Sequence, residues 1–407
     1  MKLFFGTVVV VLGLFASAAP TVSFGENPVV QDPETRVVTV NYTLSGERGI
    51  VTAELMVNGE VVPGMLNTLA GDIARELPTG AHSFTWLPDR EGFTGALSSV
   101  SFKLTAWSLA APPDYMVVDM LSLTNVWHYP NAASVPQGVG SRLYKTDRLL
   151  MRKIPAANVL WLQGMASPTN PWNQTNRWCT LTKDYYIGVY EMTRRQHANL
   201  IDDASAHRDL VAGLTAETEV LPMASAQTSA LRGPLDSGYD WPGNGHTVSA
   251  TTPLGTLRAR TGLEFDLPTV AQWEYACRAG TSGATYGPVA DVAQTEGVAG
   301  TVCEVGLKLP NAWGLYDTLG NLFELCLDWV STGASTDTAE VVDPKGPEAY
   351  EPGISSLGNG GRHWRGGCPG YSSYATATAV YCWGKDGSAN VVGYRLCCPI
   401  AAQSKED

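Results

Sequence analysis

The stretch LPTVAQWEYACRAG at residues 267–280 has the clearest local signature in the chain. Thr269 follows a proline and is a residue type that accepts hydrogen bonds from the first turn of a helix, so we predict a helix from Thr269 to Arg278. Trp273 and Cys277 lie four residues apart and would share one helix face. The segment therefore predicts a short helix with an apolar side.

A second helix is predicted over residues 190–201, which begin with Glu191 and Thr193 and end before two aspartates. Beyond about residue 140 the remaining sequence shows little regular periodicity. Long loops need other support, which metal ions, disulfides or buried tryptophans can supply. The C-terminal part of the chain is therefore predicted to be rich in irregular structure.

Residues 36–107 predict β-strands. Apolar and polar residues alternate from residue 38 to residue 44, which places the apolar side chains on one sheet face. Asn58 and Gly59 form a strong hairpin signal between two apolar runs. Several short strands without a helical pattern predict an all-β sandwich of the immunoglobulin or fibronectin-III type. Further strands are predicted at residues 82–87 and 100–107.

The composition restricts the class of protein. The chain has 407 residues, 44% of them hydrophobic and 16% charged, and a formal net charge of -12. This content excludes a disordered chain, and the acidic balance without a long Lys/Arg run argues against a nucleic-acid partner. The length predicts more than one domain.

The first nineteen residues resemble a signal peptide. Lys2 precedes an apolar run over residues 3–15, and Ala16-Ser17-Ala18 has the small-residue pattern of a cleavage site. A membrane anchor is the alternative, but the run is shorter than the roughly 20 residues that span a bilayer. No later segment is long and apolar enough to do so. We therefore expect export to the periplasm, the cell surface or the medium.

The eight cysteines all lie at or after residue 179. In an exported chain an even number favours disulfides, although the pairing stays open. Cys397 and Cys398 are adjacent and are expected to pair with separate partners, because a vicinal bridge is strained. No zinc-ligand spacing is present, and the six histidines show no nucleophile-base arrangement.

These features divide the chain into five segments. The predicted boundaries are a signal peptide at 1–19, a β-sandwich at 20–110, a linker at 111–139, a large C-terminal domain at 140–400 and a tail at 401–407.

Five ordered motifs resemble the formylglycine-generating enzyme (sulfatase-modifying factor) family. The resemblance covers about residues 140–400 and implies that family's α+β fold, which is irregular and C-type-lectin-like; the sandwich lies outside it. The motifs are YYIGVYEMT at 185–193, LPTVAQWEYACRAG at 267–280, PNAWGLYDTLGNLFELCLDW at 310–329, WRGG at 364–367 and GYRL at 393–396.

Catalytic members of this family hold copper(I) with two cysteines and use oxygen to convert a substrate cysteine into formylglycine. The family spacing from Gly367 places those positions at Tyr371 and Thr376, neither of which can replace a thiolate. Cys368 and Cys382 are two nearby cysteines. They form either a relocated thiol pair or, as we favour, disulfides within a loop-rich fold.

The resemblance also implies one calcium site, formed by a side-chain oxygen, two backbone carbonyls and a glutamate. The corresponding residues are Asp317, Gly320, Leu322 and Glu324. The alternative is that the turn is only structural and that Glu324 is an exposed or arginine-paired carboxylate. A second calcium site of the family has no clear counterpart here.

Trp161, Trp172 and Trp178 lie near one Pro/Asn-rich segment and form either an aromatic surface for sugar or peptide, or part of the core, which we favour. The missing copper cysteines favour a binding or scaffold module for a protein, peptide or glycan partner. The alternative is a formylglycine-generating oxidase that acts on sulfatases through a relocated thiol site.

Overall fold

The computed structural model describes residues 18–122, 124–165, 176–202, 204–330, 339–351 and 361–400. The chain forms two compact units. The first runs to Val61 and from Thr68 to Leu109, and the second contains Val62–Asn67 and everything described after Leu109.

The first unit is built from strands. Its four longest strands, Val38–Ser45, Gly49–Val57, Gly80–Trp86 and Val100–Trp107, lie in the segments for which the sequence predicts strands. The strands are β1 (Thr21–Ser23), β2 (Val29–Gln31), β3 (Val38–Ser45), β4 (Gly49–Val57), β5 (Glu60–Val61), β6 (Ala70–Gly71), β7 (Glu76–Leu77), β8 (Gly80–Trp86) and β9 (Val100–Trp107), with 3₁₀ turns at Pro88–Glu91 and Leu97–Ser99.

These strands form two sheets. One has the order β1-β3-β8-β6 with β2 on β3, and the other the order β5-β4-β7 with β9 on β4. The predicted hairpin is confirmed, since Asn58 and Gly59 connect β4 to β5 with positive φ angles of 52° and 86°. Phe102 from the second sheet contacts Phe84 and Trp86 of the first, at ring distances of 5.5 and 5.9 Å. The two sheets therefore share an aromatic core.

The second unit contains shorter strands and small helices. Its strands are β10 (Tyr115–Asp119), β11 (Val126–Tyr129), β12 (Arg148–Ile154), β13 (Val159–Gln163), β14 (Arg177–Leu181), β15 (Tyr185–Gly188), β16 (Phe323–Trp329), β17 (Val341–Val342), β18 (Arg362–Arg365), β19 (Val392–Gly393) and β20 (Cys397–Pro399). Its helices are α1 (Arg194–Ala198), α2 (Ala204–Ala212), α3 (Thr228–Arg232), α4 (Pro253–Thr261), α5 (Val270–Arg278) and α6 (Val289–Val292), with 3₁₀ turns at Ala132–Ser134, Arg142–Lys145 and Ser372–Tyr374.

The segment 111–139, predicted to be a linker, instead carries two strands of a sheet. β10 pairs antiparallel with β11 and β12, and the full order is β11-β10-β12-β15-β20. All but the last residue of β10 is buried. The apolar segment Tyr115–Asp119 therefore belongs to the second unit.

Two three-stranded sheets complete the second unit. β16 lies between β18 and β19, and every residue of β16 is buried. The other sheet has the order β13-β14-β17. The unit is mostly sheet with few helices, and the C-type-lectin-like detail of the predicted fold remains a prediction.

Helix α5 confirms the prediction made from residues 267–280. Thr269 caps it, and Gln272 completes a capping box, because each side chain bonds to the backbone of the other residue. The prediction over 190–201 was too long, since α1 covers only Arg194–Ala198. Helices α2, α3, α4 and α6 were not predicted. Of these, α3 and α6 have only five and four residues, which is too short for a helical repeat to be visible in sequence.

The predicted disulfides are absent. All eight cysteines lie in the described residues, and none of them forms a disulfide. Cys397 and Cys398 occupy successive positions of β20 and pack into different apolar clusters, because successive side chains of a strand point to opposite faces. Seven of the eight are buried, so they behave as small apolar core residues.

The predicted signal peptide covers residues 1–19, of which only residues 18 and 19 lie in the described part. In the part of the chain that the structure describes, no helix has the length and apolar character needed to cross a bilayer.

Candidate functional site

The sequence motifs converge on a buried ion pair between β16 and the C-terminal segment. Nε and Nη2 of Arg395 lie 2.7–3.1 Å from the carboxylate oxygens of Glu324, and neither side chain is exposed. Arg395 also donates to the carbonyl oxygens of Gly188 and Tyr316, both at 2.7 Å. One guanidinium thus connects three of the five motifs.

Helix α5 contributes to the same cluster. The indole Nε1 of Trp273 donates to Oε2 of Glu324 at 2.7 Å. The guanidinium of Arg365 lies 5.2 Å from the centre of the Trp273 ring. The helix face predicted from the spacing of Trp273 and Cys277 therefore packs against β16.

A second buried ion-pair cluster surrounds Glu274 of α5. Its carboxylate accepts from Arg278 at 2.9 Å and from Arg365 at 3.1 Å, and it also accepts the backbone N–H of Gly164. Arg365 further donates to the carbonyl oxygen of Ala377. The WRGG motif is thereby fixed to the helix.

Two more carboxylates lie beside the Arg395 pair. Glu191 accepts from Nδ2 of Asn321 at 2.6 Å and from the N–H of Leu322 at 3.1 Å, and Asp317 accepts from the N–H of Gly306 at 2.6 Å. Burial raises the pKa of Asp317 to about 6, and burial with repulsion from neighbouring carboxylates raises the pKa of Glu191 well above its usual range. The cluster therefore holds more buried carboxyl groups than Arg395 can pair with, and the raised pKa of Glu191 favours its neutral form.

The four predicted calcium ligands lie together in this cluster. Asp317, Gly320 and Asn321 have positive φ angles of 55°, 90° and 59°, so the chain turns sharply before β16. Glu324 does not face an open cage, because both its oxygens accept from Arg395. Glu191 and Asp317 offer carboxyl oxygens beside this turn, but the donor set does not fit calcium as it stands, because Glu324 is paired with Arg395. This arrangement corresponds to the arginine-paired alternative for Glu324.

No group of three or more His, Cys, Asp or Glu side chains suited to a metal ion occurs within the described ranges. Two of the four expected calcium ligands are backbone carbonyl groups, so this finding does not bear on them. Calcium therefore stays a prediction.

The family resemblance places the two copper-ligand positions at Tyr371 and Thr376, and Tyr371 belongs to an aromatic cluster. The ring of Tyr371 lies 5.8 Å from Phe323 and 5.5 Å from Tyr381, and Thr376 accepts the N–H of Ala379. Burial and contact with Tyr371 raise the pKa of Tyr381 to about 12. We call this set the tyrosine cluster; its members are Phe323, Trp364, Tyr371, Tyr374 and Tyr381.

Cys368 and Cys382 are both buried but pack into different apolar clusters. Burial raises the pKa of the Cys368 thiol to about 12 and that of the Cys382 thiol to about 11. Such thiols are protonated at neutral pH, whereas a copper ligand must be a thiolate.

The three tryptophans do not share one surface. Trp161 is buried against Tyr275, while Trp178 is half exposed on the opposite face, since Leu162 and not Trp161 is its strand partner. Trp172 lies outside the described residues. The core interpretation is confirmed for Trp161 and wrong for Trp178.

Sequence reasoning did not assign roles to Glu191, Glu274 and Arg395, although all three stand in the quoted motifs. Charged residues in otherwise apolar motifs were the available signal, because buried charges need partners. The pair His246–Asp266, with a hydrogen bond of 2.8 Å, was also missed. Its members lie on separate loops, and no local pattern connects them.

The fold and this cluster define a sheet-rich domain held together by buried ion pairs. Residues 157–399 match the family described as sulfatase-modifying factor enzyme 1-like domain. The chain belongs to this family.

Among curated relatives, the chain is similar to the formylglycine-generating enzyme of Thermomonospora curvata, with 31% identity over 192 residues, which are 42% of this chain and 60% of that protein. The bovine formylglycine-generating enzyme is 31% identical over 113 residues, 23% of this chain and 29% of the relative. The serine/threonine-protein kinase pkn1 of Chlamydia pneumoniae is 24% identical over 45% of this chain and 28% of its own length. The matches thus span at most about 60% of these relatives.

Two solved structures are also similar. Treponema denticola variable protein 1 has 20% identity and a TM-score of 0.46, covering 64% of this chain and 96% of that one. PvdO from Pseudomonas aeruginosa has 17% identity and a TM-score of 0.45, covering 62% of this chain and 94% of that one.

Proposed function

We propose that this chain is an exported binding or scaffold protein whose family domain does not perform the copper-dependent oxidation. The observation that carries the proposal is the tyrosine cluster. Tyr371 stands where the family resemblance expects the first copper cysteine, and its ring packs against Phe323 and Tyr381. A phenol does not replace a thiolate as a ligand of copper(I).

The tyrosine cluster also supports a location for partner binding. Phe323 and Trp364 form its buried base, and Tyr371, Tyr374 and Tyr381 are only partly buried. Half-exposed tyrosines combine large contact area with a hydroxyl group and are enriched at binding surfaces. A peptide, a protein loop or a glycan ring is therefore the expected partner.

The alternative is a formylglycine-generating oxidase that uses Cys368 and Cys382. The burial of both thiols and their separate apolar clusters argue against it. The similarity to formylglycine-generating enzymes keeps it as the second candidate, with a sulfatase as the partner.

The oxidase is tested with a Cys-x-Pro-x-Arg peptide incubated with the mature protein, copper(I) and oxygen. We expect mass spectrometry to find no formylglycine, alongside an active family member as positive control. Conversion that disappears in Cys368→Ser would establish a relocated thiol site and overturn the proposal.

Binding is tested on peptide and glycan arrays with the full chain. We expect specific ligands whose signal falls at least about tenfold in Tyr371→Ala and Tyr374→Ala, because exposed aromatic anchors dominate such interfaces. Trp178→Ala, which removes an exposed aromatic elsewhere, serves as the control. Loss of signal in Trp178→Ala but not in the tyrosine variants would contradict the proposed location.

A further inference from the structure

An open cleft of about 460 Å³ lies beside helix α4, away from the ion pair and the tyrosine cluster described above. Its walls include His246, Arg258 and Glu264. No residue of this cleft belongs to the five motifs. The cleft therefore has no role in the function proposed above.

His246 has a defined proton arrangement. Its Nδ1 lies 2.8 Å from Oδ2 of Asp266. The Asp266 carboxylate also accepts from Arg232, at Oδ1 from Nε (2.9 Å) and at Oδ2 from Nη2 (3.2 Å). Burial alone would raise the pKa of Asp266, but the His246 hydrogen bond and the charges of Arg232 and Arg258 outweigh it and hold that pKa below its usual range. An ionised carboxylate only accepts, so Nδ1 carries the hydrogen.

The lone pair of neutral His246 is therefore on Nε2. No hydrogen bond from Nε2 to the described part of the chain is found, and 40% of the side chain is exposed. Uptake of a proton at Nε2 would turn the ring into a cation that donates from both nitrogens.

The imidazole is held in place before any ligand arrives. The ring of Trp241 lies 4.6 Å from that of His246. Arg232 donates to the carbonyl oxygens of Gly245 and Thr247, on either side of His246. A side chain that is already ordered loses little entropy on binding, which favours affinity.

Arg258 supplies a second donor in the same cleft. Its Nη1 donates to Oε2 of Glu264 at 2.9 Å, while its buried Nη2 lies 3.5 Å from Oδ2 of Asp266, too far for a well-formed hydrogen bond. The Glu264 side chain is 67% exposed. Glu264 shows that a carboxylate fits on this guanidinium, and an ion pair so exposed contributes little, so an external anion can compete with it.

From this geometry we propose that the cleft binds the oxyanion group of a small ligand between His246 and Arg258, with uptake of one proton at Nε2. The charged groups around His246 are Asp266, Glu264, Arg232 and Arg258, whose charges cancel. Protonation of His246 leaves one positive charge, which favours a bound anionic group. A carboxylate, a sulfate or a phosphate monoester has the required acceptor oxygens.

Titration calorimetry of the full mature chain with inorganic sulfate and with acetate tests the proposal. Neither anion changes its charge between pH 6 and pH 8, so a pH effect reports on the protein. We expect saturable binding that is stronger at pH 6 and accompanied by proton uptake, seen as a dependence of the heat on buffer ionisation. The preferred anion of the two identifies tetrahedral or planar oxyanion chemistry.

Two variants are expected to weaken anion binding and one is expected to strengthen it. His246→Asn should weaken binding at pH 6 by about tenfold and remove the proton uptake, and Arg258→Gln should weaken it similarly, as expected for one lost charge-assisted hydrogen bond each. Glu264→Gln should strengthen binding several-fold, because it removes the competing carboxylate. His207→Asn, on helix α2, is the matched control and should bind like the unaltered protein.

A purely structural role for His246 would not produce this pattern. Absence of saturable binding for both anions, unchanged affinity in His246→Asn, or weaker binding in Glu264→Gln would each overturn the proposal. Circular dichroism of each variant confirms that the comparison is made between folded proteins.

Discussion

At the scale of single residues, the buried charged side chains are the most informative about what stabilises the second unit. Glu324 and Arg395 are fully buried and satisfy each other, with Trp273 and two carbonyl groups completing the hydrogen bonds. Removing one member of such a pair leaves an uncompensated charge in the core, and this costs more than the pair contributes. Arg395 is therefore a sensitive position for stability.

We predict that Arg395→Met destabilises the second unit by about 3–5 kcal/mol, because Glu324 loses its cation. The double variant Arg395→Met with Glu324→Gln should recover part of this loss, since Glu324, the carboxylate that Arg395 contacts directly, is then replaced by a neutral amide. Arg208→Met, which removes an exposed arginine, should change stability by less than about 1 kcal/mol. Urea unfolding checks this, and equal stability of the single and double variants would contradict it.

Asp328 predicts a pH dependence. Burial raises its pKa to about 6 from an ordinary value of 3.8, although its Oδ2 accepts the N–H of Val270. The folded state thus holds the proton more tightly than the unfolded chain, so its contribution to stability falls as the pH rises from about 4 through 6.

We expect Asp328→Asn to remove this loss of stability with rising pH, which amounts to at most about 3 kcal/mol. The amide oxygen still accepts from Val270, but the amide does not ionise. The variant should gain stability relative to the unaltered protein between pH 5 and pH 7.5. Thermal midpoints at both pH values measure it. Asp209→Asn, at an exposed position, should not change the pH dependence, and the same pH profile in Asp328→Asn would refute the assignment.

At the scale of elements, the turn before β16 determines how the motif at 310–329 folds. Gly320 has a φ of 90°, and a Cβ atom there would lie 2.3 Å from the carbonyl oxygen of Gln294. This turn lies between Asp317 and Glu324, the two carboxylates of the predicted calcium site. Its backbone is fixed by close packing and not by local preference alone.

Gly320→Ala is predicted to destabilise the second unit by about 3 kcal/mol or more, because strain and a backbone clash add. Gly262→Ala is the matched control, since Gly262 has a φ of 71° but nothing within 4 Å of the added Cβ atom. It should cost only about 1 kcal/mol. Similar chemical-denaturation midpoints for the two variants would show that the close contact is not rigid.

At the scale of the whole molecule, the calcium prediction can be tested directly. If calcium occupies the site formed by Asp317, Gly320, Leu322 and Glu324, a chelator should lower the thermal midpoint of the second unit and leave that of the first unchanged. Added calcium should restore the midpoint, and magnesium is the control. An unchanged melt would contradict the calcium site and leave Arg395 as the charged partner of Glu324.

The sequence by itself determined the family, the capped helix α5, the hairpin at Asn58 and Gly59 and the longer strands of the first unit. These features depend on residues close together in the chain, whose spacing reflects helix and strand geometry directly. The family motifs also contained the buried residues of the ion-pair cluster.

Only the tertiary structure decided which of these residues meet. Glu324 and Arg395 are 71 positions apart, and His246 and Asp266 are 20 apart on separate loops. The predicted linker contains β10 and β11, and seven of the eight cysteines are buried without a disulfide. Both outcomes depend on which distant residues pack against these segments. Local sequence patterns indicate which face of a helix or strand is buried. Long-range packing determines which residue lies next to a buried charge or thiol.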